Sequence, residues 1–206
     1  MQMMKLNNIL WLTTLVMCFN SCANTDNKKT AFVDQLVSQM TLDEKVGQMT
    51  QVDKRMLDSE EDIATYFLGS ILSGGGSVPD DNTTKGWVNM INRYQAQALS
   101  TRLKIPLIYG IDAVHGHSNV VGATIFPQNI GLGCANDPEL IYRINQATAV
   151  EVAATGLHWT FSPCITVPKD DRWGRQYEGF SESTSLVTRL THAAITGYED
   201  LSLIHI

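Results

Sequence analysis

At 206 residues, 44% of them hydrophobic and 17% charged, the chain is long enough for one ordinary globular core, and its composition excludes an intrinsically disordered one. A formal net charge of −6, with 15 Lys and Arg against 21 Asp and Glu, excludes the clustered basic surface that binding to a nucleic-acid backbone requires. A neutral or weakly polar small molecule suits this balance better.

The N-terminus places Lys5 ahead of an apolar run, Ile9 to Phe19, which has the length of a signal h-region and is too short for a membrane span. Residues 1–21 therefore read as an export signal. Ser21-Cys22-Ala23 sets a small residue directly before a cysteine, a relaxed form of the box at which bacterial lipoproteins are cleaved and acylated, with Phe19 and Asn20 departing from the conventional form. Cys22 is the expected lipidation site, residues 22–31 a polar tether, and any membrane contact is through the anchor. The expected location is the periplasm or cell surface, as an outer-membrane lipoprotein of a Gram-negative bacterium. Of the four cysteines, Cys134 and Cys164 are left for the folded part. They allow one disulfide, but two buried thiols on core-facing positions is the reading adopted.

Phe32, Leu36, Val37 and Met40 recur at helical spacing, and Thr41 with Glu44 three residues later marks the capping box of a second short helix. Gly69 to Gly76 is a short apolar run closed by three glycines, a buried strand entering a loop that must come close to something. An amphipathic helix over Trp87, Met90, Ile91, Tyr94, Ala98 and Leu99 leads to a strand over Ile105–Asp112. Asn136 or Asp137 then caps a helix with Pro138 in its first turn and apolar positions Leu140, Ile141, Ile144, Ala147 and Val150, ended by Gly156. A strand over His158–Val167 and a helix from Thr184 to about Tyr198 follow, and residues 201–206 break that register, as a non-native tail would. Strand–helix–strand repetition makes a parallel sheet, and three to four units amount to about half of a (β/α)8 barrel, which takes about 250 residues. The doubly wound alternative lacks a Gly-x-Gly-x-x-Gly after its first strand. The open edges of a half-barrel predict poor folding or self-association.

Barrel sites form where strands end. Two such places concentrate acids, bases and aromatics: Gly110 to His117, and Asp170 to Glu178. A strand-terminal carboxylate accepts hydrogen bonds from adjacent hydroxyls, a guanidinium fork donates others, and an indole offers a face for stacking, a set suited to a polyol. The same Asp and Arg could instead form an internal ion pair that fixes the loops, and Trp173 reads more readily as a packing residue than as a platform. Asp112 and Glu178 could be paired as nucleophile and acid. His115 and His117, one residue apart, could ligate zinc in a metal-dependent hydrolase, or brace the pocket loop by hydrogen bonds. His158 reads as a satisfied structural histidine, and the Ser73–Ser77 stretch as a hinge without the Lys-Ser/Thr of a phosphate cradle.

Gly110 to Gly116, Gly122 to Asn129, Phe161 to Cys164, Asp171 to Arg175 with Tyr177 and Glu178, and Ser181-Glu182 together resemble the first barrel half of family 3 glycoside hydrolases, in the β-glucosidase and glucan exohydrolase branch; Thr41 to Met49 resembles the family's opening helix. The resemblance runs from about Phe32 to Gly197 and makes residues 32–200 part of an N-terminal barrel domain. It implies that Asp112 and Arg175 bind hydroxyls of a terminal glucosyl unit, supported by His115, Trp173 and Glu178. It implies a retaining enzyme, without metal or other cofactor, that releases non-reducing β-D-glucosyl residues from β-glucosides or oligosaccharides. It also implies that the Asp nucleophile, the Glu acid/base and a sugar-holding Lys-His pair lie beyond residue 206, so that this chain alone is expected to be inactive. The alternative from another class is a non-catalytic sugar-binding or inert surface lipoprotein.

Overall fold

The computed structural model describes residues 28–200; the segment read as an export signal, Cys22, most of the stretch read as a tether and residues 201–206 lie outside the described residues. Two compact units divide the chain, residues 1–45 and 46–206. Helix α1, residues 28–39, begins inside the stretch read as tether. Helix α2 (Leu42–Gln48) opens on the expected capping box: the Glu44 amide donates to Thr41 Oγ1 at 3.2 Å, and the Thr41 amide donates to Glu44 Oε2 at 2.8 Å.

The second unit is built on four parallel strands, β1 (Gln51–Asp53), β2 (Ser70–Ser73), β3 (Ile108–Ile111) and β4 (Trp159–Thr160), paired in the order β1-β2-β3-β4. Sequential order with every pair parallel is the order of a (β/α) barrel wall, whereas a doubly wound sheet reverses direction at a switch point. Each pair needs a crossover, and helices fill that role: α3 (Asp62–Thr65) between β1 and β2, α4 (Thr84–Ser100) between β2 and β3, and α5 (Asn129–Ala135) with α6 (Pro138–Ala154) between β3 and β4. Helix α7 (Thr184–Glu199) follows β4. Val52, Ile71 and Tyr109 stand side by side across the first three strands, and Gly110 faces Trp159.

The core follows from the apolar faces of these elements. Ile71, Tyr109 and Ile111 from the sheet meet Trp87, Met90, Ile91, Tyr94 and Ala98 from α4. Trp87 is fully buried, and its indole N–H donates to Asn82 Oδ1 at 2.8 Å, so its one polar atom is satisfied inside the core. Burying a large aliphatic or aromatic side chain contributes roughly 1.5–3 kcal/mol against leaving it exposed. A second cluster joins Ile141 and Ile144 of α6 to Val187, Leu190 and Ala194 of α7, with Phe180 and Leu132. The fully buried Tyr198 on α7 donates its hydroxyl to the Ala113 carbonyl at 2.8 Å, 85 residues away and just past the end of β3.

Several expectations are corrected. The strand read over 158–167 is only Trp159–Thr160: the Phe161 amide still donates to the Ile111 carbonyl at 3.0 Å, which also accepts from Thr160 Oγ1 at 3.0 Å, but Pro163 has no N–H to continue the ladder. β3 begins at Ile108, three residues after the apolar run does. Asp137 caps α6 through Leu140 N as expected, with Pro138 in the first turn, but Ala147 and Val150 are exposed while Thr148, Ala149 and Val152 face the core. β1, α3 and α5 were not read from the sequence; β1 carries a single apolar side chain, Val52, and owes its place to backbone pairing with β2. Cys134 is exposed and Cys164 half-buried, and both are free thiols, so neither occupies the expected core position.

Candidate active site

A cavity of about 190 Å³ opens at the C-terminal ends of the strands, smaller than the roughly 300–1,000 Å³ of pockets for drug-sized ligands. It is lined by Asp112, Val114, His115 and Gln128, by Arg175, Tyr177 and Glu178 from the loop after β4, and by Gly75, Ser118 and Asn119. Asp112, His115, Arg175 and Glu178, read from the sequence as site residues, are therefore brought together. Trp173 is not. It is 41% exposed and absent from the cavity lining, so neither the packing role nor the platform role is built here.

Asp112 is the first residue past β3, half-buried, and accepts no hydrogen bond from the protein. Burial pushes its carboxyl above the usual carboxylate range, Arg175 opposes that shift and Glu178 reinforces it. Arg175 is held in turn: its Nε donates to Glu178 Oε1 at 2.8 Å and its Nη2 to Glu178 Oε2 at 2.5 Å. The guanidinium holds the Glu178 carboxyl below its ordinary range, so it is ionised at neutral pH. A carboxylate committed in this way has no proton to give, which argues against Glu178 as a general acid partner of Asp112. The Cys164 thiol lies 3.7 Å from Glu178 Oε2, and Asn129 at the start of α5 donates to the Glu178 carbonyl at 2.8 Å. The loop-fixing ion pair considered for this region is present on neighbouring residues: Arg172 forks onto Asp170 in an exposed pair.

The two histidines face different surroundings. His115 Nδ1 lies 2.8 Å from the Phe126 carbonyl, which only accepts, so Nδ1 carries the proton; Nε2 lies 3.1 Å from the Gln128 amide nitrogen. This braces the loop under the cavity, as one reading expected. His117 turns into the core, with no exposed surface, its Nε2 3.0 Å from Thr155 Oγ1 and its ring centroid 5.9 Å from that of Trp87. Burial lowers its pKa to about 4. The zinc-binding pair is thus not assembled, since one imidazole serves the cavity and the other the core. Gly116 between them needs its φ of +107°, and a Cβ there would meet the Thr124 carbonyl oxygen at 2.0 Å. His158 is exposed at the opposite end of β4 and makes no hydrogen bond, in place of the satisfied structural role expected.

Gly75, Ser118, Asn119, Gln128 and Tyr177 line the cavity without having been read as site residues. The glycine run at 74–76 had been recognised as a loop that must approach something, and Gln128 and Tyr177 lie inside the two motif segments; Ser118 and Asn119 carried no signal beyond adjacency to the histidines.

Residues 41–205 match the glycosyl hydrolase family 3 N terminal domain. The chain is 35% identical over 194 residues to a lysosomal beta glucosidase of Dictyostelium discoideum, an alignment that covers 85% of this chain and 24% of that protein. It is 34% identical over 166 residues to a periplasmic beta-glucosidase of Salmonella typhimurium, covering 80% and 20%. Among solved structures it resembles an exo-1,3/1,4-beta-glucanase of a Pseudoalteromonas species, with a TM-score of 0.75 and 44% identity over 81% of this chain and 21% of the other. The chain thus spans about a fifth to a quarter of the length of these relatives. With the motif segments gathered at the ends of sequentially ordered parallel strands and the family match running through all of them, the chain belongs to glycosyl hydrolase family 3, as part of its TIM-barrel-like N-terminal domain.

Proposed function

We propose that this chain supplies the sugar-holding part of a retaining β-glucosidase-like site, in which Asp112 accepts and Arg175 donates hydrogen bonds to adjacent hydroxyls of a terminal glucosyl unit. The observation that carries this reading is the pair itself: a half-buried carboxylate with no protein donor, beside a guanidinium fixed by Glu178, in a cavity sized for one small polar ring. Burying an acceptor without a partner costs about 1–3 kcal/mol, and a sugar hydroxyl offsets that cost. The double displacement needs a nucleophile and an acid/base besides these groups. In this reading other segments provide both, because Glu178 is committed to Arg175 and Asp112 to hydroxyls. His115 and Glu178 are supporting residues in the same reading, and Trp173, which lies outside the cavity lining, has no part in it. The chain is exported and tethered through a lipid on Cys22, a proposal supported by the Lys5 and Ile9–Phe19 pattern and by the periplasmic relative.

Calorimetric titration of the protein with D-glucose tests the site. Binding that is lost in Asp112→Asn and in Arg175→Ala is the expected result; no binding by the wild type would leave the inert-lipoprotein alternative. The chain alone is expected to leave a chromogenic β-glucoside intact, and hydrolysis by it would refute the assignment of nucleophile and acid/base to other segments. Transfer of a Cys22→Ser protein from the membrane fraction to the soluble fraction tests the anchor.

A further inference from the structure

The Arg175–Glu178 pair is internal to one turn. Its two members stand three residues apart, and both bonds between them, Nε to Oε1 and Nη2 to Oε2, would survive if the turn moved as a body. Such a pair fixes the guanidinium against Glu178 but not against Asp112, which stands at the end of β3. Asn129 holds Glu178 from α5, but only by its main-chain carbonyl, which leaves the side-chain torsions free. Among the described residues, one hydrogen bond reaches the side chains of the pair from outside their turn: Cys164 Sγ, 14 residues earlier in the chain, donates to Glu178 Oε2 at 3.7 Å. That thiol starts from a fixed place. The Phe161 amide donates to the Ile111 carbonyl at 3.0 Å and the Ala113 amide donates to Thr160 Oγ1 at 3.4 Å, so both neighbours of Asp112 are bonded to the segment that leads into Cys164.

Cys164 is half-buried, free of any disulfide and absent from the cavity lining. Burial first, and then the charge of Glu178, push its thiol above the ordinary range, so it keeps its proton at neutral pH and can donate. We infer that Cys164 is a positioning residue: its thiol ties the Glu178 carboxylate, and with it the Arg175 guanidinium, to the frame that carries Asp112. It touches no sugar. It sets the separation between the carboxylate and the guanidinium that grip adjacent hydroxyls, and the inference therefore rests on the proposed glycoside site. A weak donor is enough for this task, because the two Arg175–Glu178 bonds hold the pair together and the thiol only selects where the pair stands.

The test titrates the whole chain with D-glucose as wild type, Cys164→Ala and Cys164→Ser. The two variants both lose the sulfur's volume and differ from each other by one hydroxyl, so the difference between them isolates the donor even if both melt below wild type. Cys164→Ala is expected to weaken binding about threefold, the low end for a single hydrogen bond from a weak donor, and Cys164→Ser to recover most of that loss. In a Glu178→Ala background the two substitutions are expected to act alike. Iodoacetamide, followed by peptide mass spectrometry, is expected to modify Cys164 more slowly than the exposed Cys134, and faster once Glu178→Gln removes the charge, with Cys134 unchanged. Wild-type affinity in Cys164→Ala with Asp112→Asn still defective, a Cys164→Ser chain as weak as Cys164→Ala, a difference between them that persists without Glu178, or a Cys164 modification rate indifferent to Glu178→Gln overturns this inference and leaves the site reading standing. A wild type that does not bind D-glucose overturns the glycoside reading and this inference with it.

Discussion

Glu178 grips Arg175 through two parallel hydrogen bonds, with 14% of the acid's side chain exposed against 63% of the base's. The buried partner fixes the exposed one, so in the proposed site Glu178 would act on a sugar only through the direction in which it holds the guanidinium. Glu178→Gln keeps one acceptor oxygen and loses the second bond and the charge. Exposure of Arg175 screens the pair and sets its value near the low end of the roughly 1.5–3 kcal/mol for charged hydrogen bonds. D-glucose affinity is expected to fall about tenfold, with little change in melting temperature, and calorimetry with thermal melts checks both. Because the folded-state pKa of Glu178 is depressed, the contribution is present above the ordinary Glu value of about 4.3 and is lost as pH falls through the lower folded value.

Asp112→Asn is expected to separate binding from stability. Losing a charged acceptor for two hydroxyls weakens D-glucose binding by about 100-fold or more. Stability moves the other way. The folded-state pKa of Asp112 is raised, so the folded state holds its proton more tightly, and wild type loses that advantage as pH rises from about 3.9 through the folded value. The Asn variant should therefore melt above wild type at neutral pH and together with it in acid, as scanning calorimetry at several pH values would record.

His117 gives a pH dependence of the opposite sign. Its pKa is depressed to about 4 by burial, so between about 6.5 and 4 the unfolded chain binds the proton and the folded chain does not. Stability falls as pH drops through that window, by up to about 3 kcal/mol. Urea titrations of wild type and His117→Gln should diverge at neutral pH and converge toward pH 4, and nuclear magnetic resonance should find the His117 ring neutral at pH 5.

Trp87 tests the first core cluster. Trp87→Ala empties a fully buried site and is expected to cost about 3–5 kcal/mol. Trp87→Phe fills most of the space but leaves Asn82 Oδ1 without its donor, at about 1–3 kcal/mol. Chemical denaturation followed by fluorescence of the remaining tryptophans measures both.

Elements with a local chemical mark could be read directly: Thr41 and Glu44 for α2, Asp137 and Pro138 for α6, the glycines after β2. The spacing of Leu140, Ile141 and Ile144 found α6 but assigned Ala147 and Val150 to the core, because hydrophobicity alone could not show that Thr148 is fully buried, its hydroxyl donating to the Ile144 carbonyl at 2.9 Å. β1 was invisible because one apolar side chain makes no pattern. In the site, Asp112 and Arg175 carried their own chemistry and their motifs, whereas Asn119 and Ser118 become lining residues only when the loop after β3 folds back against the loop after β2. Trp173 misled in both directions, since nothing in a sequence tells which face of a loop an indole leaves open.

The bond from Tyr198 to the Ala113 carbonyl also orders events in time. Closing a contact across 85 residues carries a larger loop entropy than the neighbouring strand pairings, and contacts of that range form late. β2 and β3 can pair while α7 is still unfolded, yet the carbonyl next to Asp112 stays unbonded inside a closing core until α7 docks. The backbone next to Asp112 is thus completed only when α7 docks, and a chain still growing from the ribosome carries an unpaired Ala113 carbonyl until its Tyr198 is free to reach back.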